Sequence, residues 1–136
     1  MKRETLKDEI RFTRYEVGKG VIMQIQEEKL ADTLAVTPLV KRIDASFVPE
    51  FKAVMLDRIG SGNVKILLDL SGVDFIDSSG LGAIVSILKA LGGKGGIAIC
   101  GLRETVGTVF RLSHMDKIFR IFASKEDALK ELGINI

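Results

Sequence analysis

A chain of 136 residues is long enough for one domain that buries roughly two-thirds of the surface its unfolded form exposes. Hydrophobic residues make up 46% and aromatics only 6%, with no tryptophan, so the core is expected to be aliphatic. The formal net charge of +2 is too small to argue for nucleic acid or an anionic membrane as partner, and no apolar run has the length of a membrane span or the flanks of a signal peptide.

Residues 1–20 carry charges of both signs and little apolar periodicity. They are expected to form an N-terminal extension, either an extra strand through Ile10, Phe12 and Val17 or a mobile leader, ahead of a domain spanning 21–136. Gly18-Lys19-Gly20 lacks the Gly-Lys-Ser/Thr ending and the following helix of a phosphate-binding loop. Val21–Gln26 and Thr33–Thr37 predict two strands of an antiparallel hairpin around a polar Glu27-Glu28-Lys29 turn, with Pro38 ending the second strand. Asp44 to Ile59 predicts a helix with Asp44 as its N-cap, Pro49 in the first turn, and Val48, Phe51, Met55 and Ile59 on one face. Gly60-Ser61-Gly62-Asn63 stops it.

Val64–Leu70 is a β-branched and leucine-rich run expected to be a buried strand. Leu81, Ile84, Val85, Leu88 and Leu91 then recur at helical spacing, so Asp74-Phe75-Ile76-Asp77-Ser78-Ser79-Gly80 is a strand-to-helix crossover. The glycine run 92–96 fits a helix C-cap and a turn into a strand at Ile97–Cys100. Glu104–Leu112 predicts a short helix with Val106, Val109 and Phe110 facing inward, and Lys117–Phe122 an edge strand. A last helix opens with Ser124-x-x-Asp127 and stops at Gly133. A hairpin followed by alternating helix and strand gives an α/β class. The expected architecture is a single domain with a mostly parallel sheet of four to five strands, an N-terminal antiparallel hairpin and about four helices.

The crossover is where chemistry concentrates. Asp77, Ser78 and Ser79 are all N-cap candidates, and a pair of serines that merely starts a helix is one account of them. The other is a docking site with a modifiable hydroxyl. The following helix holds almost no charge apart from Lys89, its small residues Gly80, Gly82, Ala83 and Ser86 permit close approach, and Asp74 and Asp77 place carboxylates beside the hydroxyls. A helix start, where unpaired N–H groups point outward, also tolerates a phosphate.

No catalytic residues are assigned. A serine nucleophile needs a base, the only histidine is His114 at a helix end, and no Gly-x-Ser-x-Gly elbow surrounds either serine. An aspartyl-phosphate acceptor among Asp69, Asp74 and Asp77 lacks the acidic pair and the lysine such chemistry uses. One cysteine and one histidine make a metal site improbable on spacing, and no cofactor is expected. Cys100, alone and inside an expected strand, fits a buried thiol in a cytoplasmic protein.

Asp77-Ser78-Ser79-Gly80-Leu81-Gly82 resembles the signature of STAS domains, the anti-sigma factor antagonists of bacteria. Ile43-Asp44-Ala45, the Gly92-Gly93 to Leu102 stretch and Phe119–Leu129 fall into the same order around it, so the likeness runs from about Val21 to Leu132. It fails at Lys41, where many relatives carry glycine. The resemblance implies a STAS fold and a phosphorylation-switched binding module, not an enzyme. It makes Ser78 the phosphorylated residue, with Ser79 the poorer candidate, and Asp44, Asp77, Ser78, Ser79, Gly80, Leu81 and Gly82 the partner-binding set. The implied partners are an anti-sigma factor with serine kinase activity and a serine phosphatase, with no direct nucleic acid or membrane; a homodimer through the hairpin or the leader is compatible. The alternative is an accessory subunit of a membrane transporter or a small-ligand module on the same fold.

Overall fold

The computed structural model describes residues 10–18 and 20–134. Six strands form one sheet. The first three, β1 (Ile10–Gly18), β2 (Val21–Leu30) and β3 (Thr33–Pro38), are each antiparallel to the next. From β3 onward, β5 (Lys65–Asp69), β7 (Gly96–Cys100) and β8 (Arg120–Phe122) are parallel. The α/β class with an antiparallel start and a parallel remainder is therefore the one expected, but the sheet has six strands and not four to five, because Ile10–Gly18 adds one at its edge. The helices α1 (Val48–Gly60), α2 (Ser78–Ala90), α3 (Glu104–Leu112) and α4 (Lys125–Glu131) complete it.

Alternation along the strands divides the interior. Met23, Ile25, Leu34, Val36, Ile66, Leu68, Ile97 and Ile99 face one way and share a core with Phe51 and Met55 of α1, Ile84 and Ile87 of α2, and Val106 and Phe110 of α3. Leu67, Ala98 and Cys100 face the other way, against Ala128 and Leu129 of α4. Three crossover helices of one hand thus cover one face, as right-handed parallel connections require, and the short α4 covers part of the other. The Cys100 thiol is fully buried, and desolvation, with Asp69 adding to it, pushes its pKa up to about 12.

Several local expectations are corrected. The hairpin does not turn at Glu27-Glu28-Lys29: β2 runs on to Leu30, and the turn is Ala31-Asp32, with Ala31 in the left-handed region at φ 56°. Glu27 faces the core and is 5% exposed, its charge met by Arg58 of α1 through Nε–Oε1 at 2.6 Å and Nη2–Oε2 at 2.9 Å. The first helix begins at Val48, four residues after Asp44, which instead shapes the turn before it by accepting from the Ser46 amide and hydroxyl. Those two bonds hold the Asp44 carboxyl below the usual carboxylate range. Lys117 lies in a 3₁₀ turn (Met115–Lys117), and β8 starts only at Arg120, at the sheet edge as expected. The α3 limits, the Ser124 cap accepting from the Asp127 amide at 3.0 Å, and Gly133 at φ 75° match the sequence.

Candidate functional site

Two strands of two residues each build the site. β4 (Arg42–Ile43) and β6 (Phe75–Ile76) pair in parallel outside the main sheet. The Lys41 carbonyl accepts from the amides of Asp74 (2.7 Å) and Phe75 (3.2 Å), and the Ile43 carbonyl from that of Asp77 (3.3 Å). In this register the residues that follow the paired Ile43 and Ile76 are Asp44 and Asp77, so two of the sequence-predicted residues, 33 positions apart, emerge side by side. No hydrophobic periodicity can announce a two-residue strand, and neither was foreseen.

Asp77 is the N-cap of α2. Its backbone is extended (φ −109°, ψ −173°), and its carboxylate accepts from the Gly80 amide at 3.0 Å, as a capping side chain should. The capping role is therefore filled without either serine. Ser78 is the first helical residue and is exposed, and among the described residues nothing hydrogen-bonds its hydroxyl. Ser79 is half-buried.

Gly80 is buried, and its lack of a side chain is a packing requirement. A Cβ there would lie 2.6 Å from Ile76 Cγ1 and 2.8 Å from the Ile43 carbonyl oxygen, a backbone atom that cannot swing away. The first turn of α2 thus sits directly on the β4–β6 clip. We expect Gly80→Val to cost about 3 kcal/mol, the upper range for forced overpacking, read as a lowered urea midpoint with unchanged slope. A loss under about 0.5 kcal/mol would show that the clip yields freely.

Gly82 is the opposite case: it is exposed, with open space where a Cβ would stand. Ser78, Gly82, Ser86 and Lys89 follow one another along the outer side of α2, all exposed or half-exposed, with charge only at the far end. The inward side is Gly80, Ala83, Ile84 and Ile87, while Leu81, Val85 and Leu88 are half-buried. The expected inward stripe is thus rotated: Ile84 and Leu91 are buried as expected, Ala83 and Ile87 join them, and Leu81, Val85 and Leu88 pack on the core from the side.

A charged rim that spacing alone did not suggest borders this surface. The Arg42 guanidinium lies 4.0 Å from the centre of the half-exposed Phe75 ring and its Nε 3.6 Å from Asp44. Asp74 pairs with Lys41 at 3.8 Å and with Arg103, whose Nε also donates to the Ser71 carbonyl at 2.8 Å. Lys41 gives its carbonyl to the clip and adds a cation to the rim. His114 is exposed beyond the end of α3. Among the described residues no three His, Cys, Asp or Glu side chains converge as a metal site, and no helix is long and apolar enough to cross a membrane.

The STAS domain model matches residues 24–128. A Thermotoga maritima protein assigned as an anti-sigma factor antagonist is 33% identical over 106 residues, 76% of this chain and 94% of that one. A crystal structure of a Thermotoga maritima protein of that assignment superposes with a TM-score of 0.72 at 30% identity, covering 77% of this chain and 91% of the other. The anti-sigma factor antagonist SpoIIAA, solved unphosphorylated, shares the fold at a TM-score of 0.67 and 22% identity over 93% of this chain and all of its own. The Bacillus SpoIIAA in phosphorylated form gives 0.59 at 20% identity, over 90% of this chain and 99% of its own.

Proposed function

Because this chain belongs to the STAS domain family and is homologous to anti-sigma factor antagonists, non-enzymatic regulators, we propose that it binds an anti-sigma factor while Ser78 is unphosphorylated. That binding frees a sigma factor. The anti-sigma factor is itself a serine kinase; it phosphorylates Ser78 and ends the interaction, and a serine phosphatase resets the cycle. The supporting observation is the exposed, unengaged Ser78 hydroxyl at the start of a helix whose outer side stays uncharged until Lys89. SpoIIAA, which shares the fold, exists in both forms and adds to this support.

The contact surface comprises Asp44, Asp77, Ser78, Ser79, Leu81 and Gly82, while Gly80, part of the expected set, is buried against the clip and sets their position instead. Phosphorylation needs the hydroxyl in reach of a kinase, and an uncharged stripe of small residues lets a partner backbone come close. Incubation with the candidate kinase and ATP, followed by location of the added mass, tests the first half. Ser78 is the expected site, and modification outside Ser78 and Ser79 overturns it.

Gly82 tests the second half independently of phosphate. Gly82→Arg should raise stability slightly, by up to about 1 kcal/mol, since glycine is a poor helix former. The same change should weaken anti-sigma factor binding by about tenfold or more, because a long charged side chain fills the open approach. Undiminished binding, measured by calorimetry, would remove the outer side of α2 from the interface.

A further inference from the structure

The face of the sheet opposite α1, α2 and α3 is covered only in part. α4 has seven residues and packs on Ala98 and Cys100 of β7 and on β8, leaving the starts of the parallel strands bare. There a cleft of about 310 Å³ opens, at the end of the sheet away from Ser78. Its floor is Gly96 and Ala98, small enough that β7, the strand next to the sheet edge, is laid open; a Cβ on Gly96 would meet nothing within 4 Å. Leu132 forms an apolar wall at the end of α4.

The polar groups on this cleft are unusual for a mere gap. Thr33 lines it, is 4% exposed, and among the described residues its side chain has no hydrogen-bond partner. A buried hydroxyl without a partner is costly and calls for an explanation. Lys65 and Arg120 stand on either side. Lys65 pairs with Asp32 at 2.7 Å, whereas Arg120, among the described residues, has no carboxylate partner and stacks over Phe122 at 5.3 Å. Two cations against one carboxylate leave one positive charge over an apolar floor.

We propose that this cleft binds a small organic monoanion, its carboxylate held by Lys65 and by the hydroxyl of Thr33, its register partner on the neighbouring strand, and its apolar body lying along Gly96 and Ala98 toward Leu132, with Arg120 adding positive charge at the far side. The volume sits at the lower end of small-molecule sites, which mix an apolar lining with a few placed polar groups in this way. The site is independent of Ser78, so neither claim falls with the other.

The test is a titration of the full isotopically labelled chain with octanoate, followed through its amide spectrum. Saturable shifts are expected at Thr33, Gly96 and Ala98 and none at Ser78 to Gly82. Octanol, lacking the charge, and acetate, lacking the chain, should each bind at least tenfold more weakly. Lys65→Gln should weaken octanoate about tenfold and leave octanol unchanged, and Gly96→Val, which has room for its side chain, should abolish binding with the rest of the spectrum intact. No saturation at millimolar octanoate, equal affinity for octanol, or full binding by Gly96→Val would each overturn the proposal.

Discussion

Phosphorylated at Ser78, the protein is expected to bind its anti-sigma factor about a hundred- to a few thousandfold more weakly than the unmodified form. A phosphate brings about −1.5 to −2 charges. Held at the start of α2 by free N–H groups and the helix dipole, it does not need to unfold anything. In a closed interface, however, an uncompensated charge costs on the order of 3–5 kcal/mol. At about 1.4 kcal/mol per factor of ten, that yields the stated range. Ser78→Ala should stay bound under conditions where the kinase and ATP release the parent, and Ser78→Asp should bind poorly from the start. Calorimetry on the three forms decides it: equal affinities of the alanine and aspartate variants would reject an electrostatic gate. Arg42, Lys41 and Arg103 do not offer the phosphate a ready shelter, since each already faces a carboxylate, Asp44 or Asp74.

A loss of stability as large as that of Gly80→Val is expected elsewhere, at Glu27→Ala. The Arg58 guanidinium is only about one-fifth exposed and is held by both oxygens of Glu27, with the Tyr15 hydroxyl 3.5 Å from Nη2. The carboxylate raises the guanidinium pKa above its ordinary value, so removing it leaves a cation that cannot discharge. Breaking a buried pair from one side costs about 3–5 kcal/mol; partial exposure and the neighbouring Asp57 at 2.6 Å place this one near 3 kcal/mol. Replacing both partners, as Glu27→Leu with Arg58→Met, should recover most of the loss, because two apolar groups of similar bulk leave nothing unpaired. Urea unfolding of the single and double variants measures both. A double variant no more stable than Glu27→Ala would mean that the pair shapes the packing around it rather than merely neutralising itself.

These two positions also show what a sequence reveals and what it conceals. The start of α2 was legible because capping is local: an aspartate, two serines and a glycine in six residues leave little choice of conformation, and the strand before and helix after declare themselves by period. Glu27 was misplaced in a turn because two consecutive glutamates look solvated. Its partner lies 31 residues on, in a different element, and no local pattern records that distance. Asp44 was read as a helix cap for a similar reason. The residue type was right for a turn, but its side chain is spent on Ser46 and the helix waits for Val48. The β4–β6 clip, which gathers the site, is made of main-chain bonds between segments too short for any periodic signal. The resemblance supplied the residues of the site; only the fold supplied their meeting.

The wedging of Gly80 between Ile43 and Ile76 has a further consequence. On the proposed function, a marker mounted on so stiff a seat would be written and read at one spot, with no message relayed through the molecule. The pace of the response would then belong to whatever adds and strips the mark.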